Sequence, residues 1–206
     1  MEMIEFEHPV ARDFVTRLRR KEASPARFRA YANRLAYLLA VEATRDLSTA
    51  PAEVETPLET TLGEVLIDHP VIVPILRAGL GLLEAFQDLL PDSQVAFIGI
   101  SRNEATAEPV WHYSSIPNVA GKKVIVLDPM LATGGTAASV LEYLFEKKAS
   151  EIILVSVVAA PEGIARLEAF ENLTVITVCV DRELDSSWYI RPGMGDFGDR
   201  LYSNDT

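Results

Sequence analysis

The sequence predicts an α/β fold: a doubly wound, mostly parallel sheet with helices on both faces, an N-terminal helical arm, and a small hood or tail region. Three observations predict it. From Val71 onward short β-branched runs alternate with helical segments, as strand–helix–strand units do. Those runs are nearly continuous in apolar residues, as strands covered on both faces require. The 206 residues, 49% hydrophobic and 24% charged, suffice for one sizeable core and fall short of two. One domain over 1–206 is expected, with the arm at 1–50, the core sheet at 68–182 and the tail at 183–206.

Pro9 opens a helical pattern that puts Val10, Phe14, Val15 and Leu18 on one side. Ser24-Pro25 is a helix start, an N-cap followed by proline at the first helical position. Phe28, Tyr31, Leu35, Leu38, Leu39 and Ala43 then give a broad apolar face reaching about Leu47. Segment 48–62, with Pro51, Pro57 and alternating Val54 and Thr56, reads as a loop with a short edge strand. VIVPIL, QVAFIGI, KKVIVL, EIILVSVVAA and LTVITVCV read as strands. Helices over 79–90, 133–148 and 161–171 separate them, with a polar loop after QVAFIGI.

Composition narrows the function classes. Net charge is −11, with +3 on residues 1–45 and −14 on the remainder. A nucleic-acid surface needs a positive footprint, and the main body has none. The N-terminal bases Arg17, Arg19, Arg20 and Lys21 read as a solvated or subunit-contacting face. No apolar run approaches the roughly 20 residues of a membrane span. MEMIEFEHPV carries acids where a secretory leader carries bases, so a cytoplasmic location is expected. The single cysteine, Cys179, lies in an apolar run and reads as a small core residue. His8, His69 and His112 lack metal-ligand spacing and read as surface or packing residues.

In doubly wound sheets ligands sit beyond the carboxyl ends of the strands. Arg77 in PILRAGLG (74–81) follows the first run directly. It offers either a planar fork of donors for phosphate or a salt bridge that caps the turn. Arg102 in GISRNEATAEPV (99–110) follows the second. The third end is VIVLDPMLATGGTA (124–137). It is not a lysine-bearing P-loop, nor does it hold the GxGxxG dinucleotide fingerprint. What remains is a loop, 132–136, whose amides and Thr133 and Thr136 hydroxyls can surround one phosphate at the positive end of the following helix. Asp128 would face the same pocket, where an acid needs other work, such as accepting from sugar hydroxyls or holding a metal. A sugar phosphate is the implied ligand. The tail, YIRPGMGDFGDRLYSND (189–205), crowds Gly193, Gly195 and Gly198 among Asp196, Asp199 and Arg200. Its exposed amides could read the edge of a flat heterocycle.

Assembled, these residues resemble the uracil phosphoribosyltransferase family. LDPMLATGGTA is similar to that family's phosphoribosyl pyrophosphate (PRPP) loop and YIRPGMGDFGDR to its uracil loop. ILRAG, the arginine after GIS, AAPEG and EATRDL also match, and the likeness runs from about Phe6 to Tyr202. The resemblance implies transfer of ribose 5-phosphate from PRPP to N1 of uracil, giving UMP and pyrophosphate. Carried over by position, it puts Arg77 and Arg102 on the pyrophosphate group and Asp128 on the ribose hydroxyls. Pro129, Met130, Leu131, Ala132, Thr133, Gly134, Gly135 and Thr136 line the rest of the donor site, the last five around the 5′-phosphate. Ile190, Gly195, Asp196 and Phe197 form the uracil site, mostly through main chain, with Asp196 also facing the donor and its metal. It further implies Mg²⁺, held mainly through PRPP, a homodimer or homotetramer, and GTP as an effector. Arg191, Phe197 and Ser101 depart from the common family pattern. Arg191 leaves room for another base. The same fold could also serve a non-catalytic nucleotide-sensing regulator or a catalytically silent subunit.

Overall fold

The protein is described by a computed structural model covering residues 1–102 and 109–203. It begins with β1 (Glu2–Glu5), the helices α1 (Pro9–Arg19) and α2 (Pro25–Ala43), and the hairpin β2 (Thr49–Glu55) and β3 (Thr60–Leu66). The core runs β4 (Val71–Leu76), α3 (Leu80–Leu89), β5 (Phe97–Arg102), β6 (Pro109–Ser115), β7 (Lys123–Leu127), β8 (Met130–Leu131) and α4 (Gly135–Glu146). It continues β9 (Glu151–Val155), β10 (Val158–Ala159), α5 (Pro161–Leu167), β11 (Leu173–Thr177) and β12 (Cys179–Val180). The tail holds β13 (Glu183–Leu184), β14 (Ile190–Arg191) and α6 (Phe197–Tyr202).

Seven strands form the main sheet in the order β1-β11-β9-β7-β4-β5-β6. Every pairing is parallel except that of β5 with β6. The chain builds outward one way from β4 and the other way from β7, so the strand order reverses between these neighbours. That reversal opens a crevice at their carboxyl ends, the usual ligand position in such sheets. Successive side chains serve opposite faces: Ile72, Ile125 and Ile153 pack with α1, α2 and α3, while Val71, Val73, Val124 and Val126 pack with α4 and α5.

The arm helices start as their sequence directs. His8 Nδ1 accepts from the Val10 amide at 3.2 Å, and Ser24 Oγ from the Arg27 amide at 3.4 Å. α2 stops at Ala43, short of Leu47, because the Thr44 hydroxyl takes the Ala40 carbonyl at 2.7 Å and the Arg45 amide turns back to Glu42. Segment 48–62, expected as a loop with a short edge strand, holds more strand than that: it belongs to a hairpin of two seven-residue strands in register from Thr49↔Leu66 to Glu55↔Thr60. Exposure hides its strand character, since Val54, Leu62 and Val65 all face outward and no buried face imposes alternation. Glu2–Glu5, inside the stretch expected to be helical arm, pairs with β11 at the sheet edge.

Two of the expected strands are each two strands. EIILVSVVAA breaks into β9 and β10, and LTVITVCV into β11 and β12; the chain after β7 likewise steps into β8. The second pieces pair in parallel as a separate small sheet, β12-β10-β8. The breaks are pinned: the Ser156 hydroxyl donates to Asp128 O at 2.6 Å, and Pro129 O accepts from the Val157 and Val158 amides at 2.9 and 3.2 Å.

Candidate active site

Asp128 follows β7 directly and is partly buried. Loss of solvation pushes its carboxyl up to about 7, while the Met130 amide donating to it pulls the other way. Pro129 and Leu131 are buried, and Met130 is partly so. The loop then turns at Gly134, whose φ of +73° is left-handed, and α4 begins at Gly135. A side chain at 134 would suffer twice, from that backbone angle and from Gly163 O, 2.8 Å from the position of its Cβ. Gly163 answers in kind, since a Cβ there would lie 2.4 Å from Ala132 O. The AAPEG stretch therefore props the loop by backbone-to-backbone contact.

The amides divide into used and available. Ala132 N–H donates to Met130 O at 3.0 Å, and Gly135 N–H to the Thr133 hydroxyl at 3.3 Å. The Thr133, Gly134 and Thr136 amides meet no acceptor among the described residues. Helix starts leave such donors unsatisfied, and a phosphate is their natural partner. Ala132, expected among the phosphate amides, spends its own N–H internally.

Arg77 stands just past β4, after a cis peptide bond from Leu76. Its Nη2 donates to Asp199 Oδ1 at 2.9 Å, and its side chain is 57% exposed. Sequence offers a phosphate ligand or a salt bridge; the salt bridge is present, with the tail and not with its own turn. Arg102 ends β5, next to β4 in the sheet. Its side chain and the loop 103–108 lie outside the described residues.

The tail closes over this end of the sheet. Asp196 caps α6, its Oδ1 accepting from the Asp199 amide at 2.8 Å. Phe197 is buried, edge-on to Phe28 at 5.0 Å between centroids, so only its main chain can serve a ligand. Gly195 and Asp196 are exposed. Ile190 is buried, whereas the next residue in β14, Arg191, points out: its Nε donates to Asp185 Oδ2 at 2.7 Å. The residue that left room for another base is thus spent on a surface ion pair.

Several further residues hold the tail, and Arg19, Arg29 and Asp181 among them lie outside the motifs that carry the sequence reading. Asp181, 7% exposed, accepts from Arg19 Nη2 at 2.5 Å and Nη1 at 2.9 Å, and from the Gly193 amide at 2.8 Å. Arg19 also donates to Gly193 O at 3.0 Å and to Cys179 Sγ at 3.4 Å. Arg200 donates to Leu18 O, to Met194 O at 2.7 Å and to Arg20 O at 2.7 Å, and lies 4.3 Å over the Phe28 ring. Arg29 reaches Leu201 O at 2.5 Å. Arg19, expected on a solvated or subunit-contacting face, instead ties the arm to the tail across 174 residues. No spacing rule exposes a contact of that span. Glu162, in the AAPEG stretch, accepts from the Leu184 amide at 3.0 Å and joins the prop of loop 132–136 to the tail.

Comparison with known proteins agrees over nearly the whole chain. A family model described as uracil phosphoribosyltransferase matches residues 5–204. A protein of that name from an Arthrobacter species is 42% identical over 207 residues, covering 98% of each chain. A solved structure from Aquifex aeolicus superimposes with a TM-score of 0.95 at 37% identity, covering 99% of both chains. A hypoxanthine-guanine phosphoribosyltransferase from Bacillus anthracis has a TM-score of 0.53 at 14% identity over 76% of this chain and 80% of its own, a likeness of fold alone.

Proposed function

The chain belongs to the uracil phosphoribosyltransferase family, and from that premise we propose that it transfers the 5-phosphoribosyl group of PRPP to N1 of uracil, giving UMP and pyrophosphate. It is a pentosyltransferase enzyme. One observation carries the site assignment: amides without an acceptor at the start of α4 share the β4/β7 crevice with Arg77 and Asp128.

In this reading the 5′-phosphate sits on the amides of Thr133, Gly134 and Thr136, with no lysine because peptide dipoles supply the field. Asp128 accepts from the ribose hydroxyls. Breaking the bond from ribose C1 to pyrophosphate builds negative charge on the leaving group, which Arg77 and Arg102 stabilise where it develops. Arg77 exchanges Asp199 for the diphosphate. Asp196, Gly195 and the Phe197 main chain receive uracil beside Ile190, and their hydrogen bonds to its edge exclude bases of the wrong pattern.

Among the described residues no three acidic, histidine or cysteine side chains converge on one point. The chain therefore suits a Mg²⁺ held mainly by the donor's diphosphate, with Asp196 as the protein carboxylate at hand. When bound there, the ion supplies further positive charge against the departing diphosphate. A homodimer or homotetramer is supported by the exposed apolar residues of the β2–β3 hairpin, Leu58 at 95% and Leu62 at 73%. GTP as an effector is proposed on the family resemblance alone. Among the described residues no helix is long and apolar enough to cross a membrane, and a cytoplasmic location is proposed with it. The test is pyrophosphate release from PRPP with uracil, with cytosine, and without Mg²⁺. Release with uracil and Mg²⁺ is expected; equal release with cytosine sinks the base assignment.

A further inference from the structure

We propose that Asp199 is a positioning residue that acts through Arg77: an internal carboxylate that holds the guanidinium while no diphosphate is bound and reclaims it as pyrophosphate leaves. The inference rests on the donor role proposed for Arg77. It adds to that role a second group, which sets how tightly the diphosphate is held.

Both backbones are fixed. The Gly79 amide donates to Ile75 O at 2.8 Å and the Leu80 amide to Arg77 O at 3.2 Å, so the turn after β4 is closed on itself. α6 lies against the start of α3 with no room to spare: a Cβ at Gly81 would meet Leu201 Cδ1 at 2.6 Å and Phe197 Cε1 at 3.1 Å. Asp199 is locked into α6 by its own main chain, whose amide donates to Asp196 Oδ1 at 2.8 Å and whose carbonyl accepts from the Ser203 amide. The Arg77 side chain, 57% exposed, has space to swing, whereas that of Asp199 is 17% exposed and stays.

Charge decides what the exchange costs. The other guanidinium groups at α6 are engaged elsewhere, Arg200 on Leu18 O, Met194 O and Arg20 O, and Arg29 on Leu201 O. Among the described residues Arg77 is the cation paired with Asp199. When a diphosphate draws Arg77 away, a largely shielded carboxylate is left near Asp196 with its charge unanswered. That cost is subtracted from the binding of PRPP and of pyrophosphate alike, and it is returned each time pyrophosphate departs. Asp199 is thus a resident competitor, which loosens the hold of Arg77 on the product and hastens release. An ion pair with one exposed partner shifts an equilibrium by about fivefold at most.

The experiment is calorimetric titration with pyrophosphate in Mg²⁺ buffer, followed by steady-state kinetics with PRPP and uracil, on wild type, Asp199→Asn and Asp199→Glu. Asp199→Asn keeps the size of the side chain and removes its charge. It is expected to bind pyrophosphate about fivefold more tightly and to lower the PRPP KM by about the same factor, with the uracil KM unmoved. Such a shift is a change in uniform binding of the donor; loss of a merely structural contact would weaken binding instead. Asp199→Glu restores the wild-type values. In an Arg77→Gln background, Asp199→Asn leaves pyrophosphate affinity where it was, because the group it acts through is gone. Weaker or equal binding in Asp199→Asn overturns the proposal, and so does tightening that persists without Arg77. If the function assignment is what fails, uracil is not turned over, yet the charge-dependent change in pyrophosphate affinity survives. Pyrophosphate that does not bind the wild type overturns both.

Discussion

The proposed donor side and the proposed base side of the crevice are built on different plans. On the donor side the working groups come from residues that immediately follow adjacent strands, and the loop is shaped by glycine-to-backbone contact, Gly134 against Gly163. The base-side loop has a tight glycine turn too, since a Cβ at Gly193 would lie 2.2 Å from Ile190 O, but that turn is also tied to distant parts of the chain. It is hung from the arm by Arg19, Arg29 and Arg200 through carbonyls and the buried Asp181. Both sides thus depend on backbone shape, and the base side depends in addition on a few long-range charged hydrogen bonds. Substitutions should separate the two by which substrate they affect.

The largest effect is expected from Asp181→Ala. It strands the Arg19 guanidinium and the Gly193 amide in a largely buried place, a loss of about 3–5 kcal/mol by the usual cost of breaking such a pair. Chemical denaturation would measure it. In protein that remains folded, the uracil KM should rise while the PRPP KM holds; an equal rise in both would erase the distinction between the sides. Arg77→Ala should leave stability nearly unchanged, because its partner contact is exposed. It should lower kcat by about 10²–10³, as loss of one transition-state donor does, and a near-normal rate removes it from the mechanism.

A tenfold effect is expected from pH. With the Asp128 carboxyl raised to about 7, the ionised form that accepts from ribose hydroxyls grows as pH rises. The kcat/KM for PRPP should then climb about tenfold between roughly pH 6 and 8. Folding runs the other way: a raised acid pKa means the native state holds more protons than the unfolded chain, so stability falls over the rise from about 4 to about 7. Asp128→Asn should flatten both profiles, and a rise that persists in the variant belongs to another group. Smallest of all is Arg191→Ala, which removes an exposed pair with Asp185. Stability should drop by no more than about 1 kcal/mol, and the ratio of uracil to cytosine turnover should stay put.

The same division explains what the sequence discloses. The helix starts at Pro9 and Ser24-Pro25, the apolar strands, and the turn into α4 are written in neighbouring residues, and they appear in the structure where the spacing puts them. The cap at His8 is different, since in sequence that histidine reads only as a surface or packing residue. The hairpin escapes a reading by pattern because its apolar residues face outward and give no rhythm of burial. Two long apolar runs conceal breaks at Ser156 and Val178, where apolar character continues although the strand changes sheets. The pairing of Arg19 with Asp181 is invisible in sequence because 162 residues separate them. Arg191 stands out as a break in pattern, yet its side chain leaves the site.

The small sheet β12-β10-β8 has a consequence for how the two substrates meet. Its three strands run on, one into the phosphate loop, one into the Gly163 prop and one into Asp181, which anchors the Gly193 turn. In the proposed reading, sugar and heterocycle are both held from loops that spring from this one small sheet. The pitch of its strands would then set the spacing between the atoms to be joined.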